Sequence, residues 1–142
     1  MYLTDIINTL ECKLLHNKFL IWQRKQCRHM FEYDSPCQSL SELELICQLN
    51  STLNLSLGDV YELTQHLNIN WTEQTAYAGI ENSLFIKMHM PEHKCRSASI
   101  NDLVQIDNIY FRIMPYGWYP YIASNNFLYP IDITENPVTR KV

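Results

Sequence analysis

Three nitrogen and sulfur donors crowd one short segment: His89, His93 and Cys95, in the pattern His-x3-His-x-Cys. Imidazole and thiolate are the donors zinc prefers, and three of them leave a fourth position open for water, as in catalytic sites. Cys12-x3-His16 is a second pair, with the spacing that shares one face of a helix. Two features weigh against metal. Paired Cys-x-x-Cys knuckles and the Glu of a His-Glu-x-x-His helix are missing, and Pro91 puts the first segment in a loop without an enforced common face. Exposed loop histidines and a buried Cys95 are the simpler reading. Neither a metal nor another cofactor is expected.

Nucleophilic and phosphate chemistry find no better anchor. Five cysteines and five histidines allow many Cys–His pairs, and spacing singles out none of them. Glycine occurs three times, as Gly58, Gly79 and Gly117, too sparsely to build a phosphate-cradling loop. The Gly-x-Ser-x-Gly elbow is missing as well. No catalytic residue is assigned, and the expectation leans away from an enzyme.

The elements that would position any site are read from periodicity. From Thr4, a helix cap by residue type, Ile7, Leu10, Leu14, Phe19 and Trp22 make an apolar stripe that predicts a helix to about Phe31, before Asp34-Ser35-Pro36 stops it. Ser39 followed by Glu42 reads as a capping box, opening a second helix with Leu43, Ile46, Leu49 and Leu53 inside. Ser56 with Asp59 opens a third, reaching Asn68. After Trp71 the period becomes two. Leu84 to Met90 alternate, Leu103–Ile106 and Ile109–Ile113 flank an Asp107-Asn108 hairpin turn, and Pro115-Tyr116-Gly117 turns into Trp118–Ile122. Phe127-Leu128-Tyr129 adds a last strand. The fold class expected is α+β: N-terminal helices over 1–75, then a small antiparallel sheet over 76–134, with a loose tail at 135–142, in one compact unit.

Length and composition agree with that. The chain has 142 residues, 46% of them hydrophobic and 18% charged, which suits one globular domain. No apolar run is long enough for a membrane helix, and the N-terminus lacks a basic, apolar leader, so a cytoplasmic location is expected.

Charge is the most specific clue. The net charge is −4, and no Lys or Arg occurs between His29 and Ile86, where Glu42, Glu44, Asp59 and Glu62 are among the acids. The helix-turn-helix look of residues 39–68 therefore conflicts with duplex binding, since a reading helix needs cations against phosphate. The acidic stretch fits a solvated acidic surface, or one that docks onto a basic partner such as the nucleic-acid groove of a nuclease. The cluster from Lys18 to Arg28, with Trp22 inside it, reads first as a solvated basic helix face and second as a contact for RNA or an acidic protein patch.

His89-Met90-Pro91, then Arg96-Ser97-Ala98-Ser99-Ile100-Asn101-Asp102-Leu103, then the hairpin at Asp107-Asn108 and the turn Tyr116-Gly117-Trp118 form an ordered set. The segment from about Tyr77 to Tyr121 resembles the small YodL-like domains of phage and mobile-element polyvalent proteins. It departs from their pattern at Met90, at Ala98 in place of Leu and at Asn101 in place of Gly. The resemblance implies an accessory protein of an element that meets host defences, without an established active site. Asp102 would accept from neighbouring N–H groups, a structural role. Arg96, Tyr116, Trp118 and Tyr119, with Tyr110 and Tyr121, are the residue types that anchor interfaces, and the aromatics among them equally suit the core of the sheet.

The function expected is inhibition of a host defence protein, of the anti-CRISPR or anti-restriction type. Glu42, Glu44, Asp59 and Glu62 would meet its basic surface, and the aromatic sheet edge would anchor it. A helix-turn-helix-like transcriptional regulator is the alternative, and a small metal-dependent or thiol enzyme the third reading.

Overall fold

The computed structural model describes residues 1–25, 38–65, 76–77, 80–81, 85–89, 97–134 and 141–142, with only the backbone described for the three short segments between 76 and 89. Among these, two short helices accompany a mostly antiparallel-sheet fold. Helix α1 is Leu3–Leu10 and α2 is Leu57–Leu63. The strands are β1 His16–Arg24, β2 Leu43–Leu55, β3 Ala76–Tyr77, β4 Ile80–Glu81, β5 Phe85–His89, β6 Leu103–Ile106, β7 Ile109–Ile113, β8 Trp118–Ser124 and β9 Phe127–Pro130. Seven of them form one antiparallel sheet in the order β5-β2-β1-β6-β7-β8-β9.

The expected helices come first only in part. Helix α1 is capped at Tyr2 rather than Thr4, with the Asp5 carboxylate accepting from the Tyr2 N–H at 3.2 Å. It ends far short of Phe31, because Cys12 adopts the left-handed conformation (φ 60°). Lys13 then donates to the Asn8 carbonyl at 2.8 Å and Cys12 to that of Thr9 at 3.2 Å, a Schellman closure. Beyond it, Phe19, Ile21 and Gln23 are buried and alternate with half-buried neighbours, so the expected basic helix is a strand.

The second expected helix is also a strand. Ser39 does cap, its hydroxyl accepting from the Ser41 N–H at 3.2 Å, but it opens only a single 3-10 turn, Leu40–Glu42. In β2, Cys47 faces Ile21 and Leu45 faces Trp22, which leaves Ile46 as the extra residue of a bulge. The bulge shifts the inside parity, so Ile46 and Leu49 both face the helices at an interval of three, while Leu43, three residues before Ile46, is buried on the other face. That interval is what reads as a helix in the sequence. Asn54 and Leu55, which lie between the expected second and third helices, belong to β2.

Residues expected from local chemistry form as expected. Ser56 and Asp59 make a reciprocal capping box, the Ser56 N–H donating to the Asp59 carboxylate at 2.9 Å and the Asp59 N–H to the Ser56 hydroxyl at 3.1 Å. Helix α2 stops at Leu63, short of Asn68. Ile106 pairs Ile109 around Asp107-Asn108, with Asp107 at φ 52°. Gly117, at φ 79°, turns β7 into β8. The last hairpin carries a signal that strand periodicity does not show: Asn125 and Asn126, at φ 51° and 67°, form the left-handed pair of a tight turn.

Both sheet faces carry a core. On one, α1 and α2 lay Leu3, Ile6, Leu57, Val60 and Leu63 onto Phe19, Ile21, Leu49, Val104, Ile109 and Phe111. On the second face, Leu43, Leu103 and Tyr110 cluster with Trp22, Leu40, Tyr121, Ala123 and Leu128. The expected split at residue 75 is not the structural one, since β1 and β2 are interior strands of the sheet that β6–β9 complete. Of the tail, residues 135–140 lie outside the described residues. Its end is held rather than loose: Lys141 bridges Tyr2, and the Val142 N–H donates to the Met1 carbonyl at 3.1 Å.

The sheet is rolled. Ser39 bridges Phe127 of β9, yet Leu43 already pairs Arg24 of β1. The chain from 39 to 43 reaches at most about 14 Å, and the two pairings add about 5 Å each. On a flat sheet those corners, four inter-strand steps apart and offset along the strands, would lie about 30 Å from each other. Curvature closes the gap. Leu40 packs against the cluster of Leu43, Leu103 and Tyr110, so the roll is toward the second face.

Candidate functional site

The second face is where aromatic and polar side chains converge. Alternation along β1 puts Lys18, Leu20, Trp22 and Arg24 on it, and cross-strand pairing carries that face through Gln105, Tyr110, Arg112, Tyr119 and Tyr121. Trp22 Nε1 donates to Gln105 Oε1 at 2.9 Å, and Gln105 Nε2 donates to the Asp107 carbonyl at 2.7 Å. The Trp22 and Tyr110 rings lie 6.3 Å apart, and Tyr119 meets Tyr121 edge-on at 5.8 Å. The Arg112 guanidinium covers the Tyr121 ring at 4.6 Å, while its Nε approaches Met114 Sδ at 3.3 Å. Burial holds the Tyr110 and Tyr121 hydroxyls above their ordinary pKa, with Arg112 offsetting part of the effect at Tyr121. Both stay protonated donors at neutral pH.

The expected interface aromatics are thus divided. Tyr119 joins the second face, Trp118 is half-buried against the helix-covered core, and Tyr116 projects from the turn, 98% exposed. Arg96 lies outside the described residues. A cleft of about 340 Å³ beside Trp118 is lined by Gly58, Tyr61, Ile100, Ile113, Met114, Pro115 and Gly117, with no carboxylate, imidazole, amine or thiol among them. It offers contact area rather than acid–base chemistry.

The four expected carboxylates come from three elements. Glu42 is exposed in the 3-10 turn and its Oε1 accepts from the Gln38 N–H at 3.4 Å. Glu44 sits opposite Gln23, on the helix-covered side. Asp59 is committed to the cap of α2, and Glu62 is exposed on the same helix. Asp102 has the structural role expected of it. Buried to 1% exposure, its two oxygens accept from the Arg24 N–H at 3.1 Å and the Ser99 N–H at 2.8 Å. Next to it Asn101 takes φ 74°, a conformation glycine adopts freely and asparagine tolerates.

Metal and thiol chemistry gain little. His93 and Cys95 lie outside the described residues, and His89 ends β5 with its side chain undescribed. Among the described residues no group of three or more metal-capable side chains occurs. Cys12 and His16 do not share a helix face. The cysteine is exposed in the turn after α1, and His16 opens β1. His16 Nε2 is 2.9 Å from the Thr9 hydroxyl, which donates its one proton to the Asp5 carbonyl at 2.8 Å. Nε2 therefore carries the hydrogen and donates. Burial lowers the His16 pKa, with Asp107 and Asp5 partly opposing.

Comparison with known proteins finds no matching family model, no matching characterised protein and no matching solved structure. No helix among the described residues is long and apolar enough to cross a membrane.

Proposed function

We propose that the chain is a non-catalytic accessory protein of a phage or mobile element that binds a host defence protein and blocks it by occupying a basic surface. The observation that supports this best is a sorting of charge by face. Glu44, Asp59 and Glu62 belong to the helix-covered side, with Asp5 in the first turn of α1. The formally charged side chains at strand positions on the second face are Lys18, Arg24 and Arg112. An acidic helical layer attracts and orients a positively charged groove, such as that of a nuclease. Tyr116 and the neighbouring apolar cleft supply an aromatic anchor of the type that dominates binding energy. The YodL-like pattern supports the same setting, a host cytoplasm.

The regulator alternative loses the first helix of its pair, because residues 43–55 form β2, and its basic helix, because 18–24 lie in β1. The inhibitor reading is tested by expressing the chain in bacteria that carry a restriction or CRISPR nuclease. Plating of a targeted phage should rise tenfold or more. Glu44→Lys combined with Glu62→Lys should abolish the rise without lowering the melting temperature by more than a few degrees. No rise against either nuclease class sinks the reading, and a rise indifferent to the double reversal removes its electrostatic basis.

A further inference from the structure

We propose that the second sheet face binds single-stranded RNA. This surface lies opposite the acidic helical layer, so the inference stands apart from the inhibitor reading. In a chain of net charge −4, the charged strand positions on this face are all cationic. Lys18 is exposed; Arg24 and Arg112 are half-buried. None of the three has an ion-pair partner among the described residues, and Arg24 Nη1 is a buried nitrogen without a hydrogen-bond partner there. Unneutralised positive charge beside low-dielectric aromatic surface is the arrangement that attracts a phosphodiester backbone while offering rings for bases to stack on.

Two clefts open on this face. One, of about 270 Å³, lies among Lys18, Leu20, Gln48, Gln105 and Asp107; the other, of about 320 Å³, lies among Arg112, Tyr121, Leu128 and Gln38. The second pairs Arg112 with apolar and aromatic walls, while in the first Lys18 shares the lining with two amides and the Asp107 carboxylate; each matches a nucleotide unit in scale. Leu20 and Tyr121 share one cross-strand row through Gln105 and Tyr110. Three inter-strand steps separate them, about 14 Å at ordinary spacing. A strand of about four nucleotides spans that distance across the sheet. The inward roll favours a thin, flexible strand over a stiff duplex. Side-chain amides among the rings, Gln48 bonded to Asn50 at 3.3 Å, can donate to and accept from ribose 2′-hydroxyls, which favours RNA over DNA.

Fluorescence anisotropy with a labelled ten-nucleotide oligouridylate tests this on the full chain. Saturable binding at 50 mM salt should weaken as salt rises. Lys18→Gln, an exposed change that leaves the packing intact, should weaken it several-fold and flatten the salt dependence. Tyr119→Ala should weaken it about tenfold, with circular dichroism unchanged. No binding at 50 µM protein overturns the proposal, as does binding indifferent to Lys18→Gln. Equal or tighter binding of oligothymidylate, of a duplex of the same length or of a polyglutamate peptide overturns it too. Testing Glu44→Lys/Glu62→Lys in the same assay separates the surfaces: RNA binding should survive, and its loss would overturn the assignment to this face.

Discussion

His16 shows how one side chain couples pH to stability. Its hydrogen bond to Thr9 joins the start of β1 to the last turn of α1, and burial disfavours its charged form. The folded pKa thus lies below the unfolded value. As pH falls through about 6.5, the unfolded chain takes up a proton that the native state resists, so stability declines. Asp5 and Asp107 temper that decline without reversing it. The melting temperature should drop between pH 7.5 and 5.5, and His16→Gln should make the drop shallower. An identical pH dependence in the variant would show that His16 carries none of it. The donor role of Nε2 was not readable from the sequence, where Cys12 and His16 suggested a liganding pair. Helical spacing alone motivated that pair, and the chain leaves the helix between them.

At the scale of elements, the end of α1 is decided by a residue that suits it poorly. Cys12 occupies the left-handed position of the Schellman closure, where a Cβ crowds the backbone and glycine does not. Cys12→Gly should stabilise the protein by about 1 kcal/mol in urea unfolding; destabilisation would mean that the exposed thiol makes contacts worth more than the relieved strain. The cap of α2 was legible because Ser56 and Asp59 satisfy each other's N–H groups within four residues of chain. The same signature at Ser39 and Glu42 was genuine chemistry with a different sequel. Capping residues start a turn, but only packing continues it. Leu43–Leu55 found β1 and β5 on either side and became a strand. The hairpins from Leu103 onward were legible for the opposite reason: their partners are sequence neighbours, joined by turns whose residue types accept positive φ.

For the whole molecule, the arrangement of layers makes a prediction about cooperativity. Ile6 of α1 is fully buried in the same cluster as Phe19, Val104 and Phe111, so helix and sheet share one core. Ile6→Val should cost about 1 kcal/mol, and tryptophan fluorescence and far-UV circular dichroism should report the same loss in one transition. Separate transitions would mean that the helices melt independently of the sheet. Charge also acquires meaning only at this scale. The sequence shows a cation-free middle; the fold turns β2 and α2 so that Glu44, Asp59 and Glu62 lie to one side while Lys18, Arg24 and Arg112 lie to the other. What the sequence by itself determined were the caps, the turns and the C-terminal meander, because each rests on hydrogen bonds between residues a few positions apart. Only the tertiary structure decided that 16–24 and 43–55 are strands and which side chains share a face. A strand's backbone groups are satisfied by partners remote in the chain, as Trp22 and Leu103 are, and one bulge reverses the facing of everything beyond it.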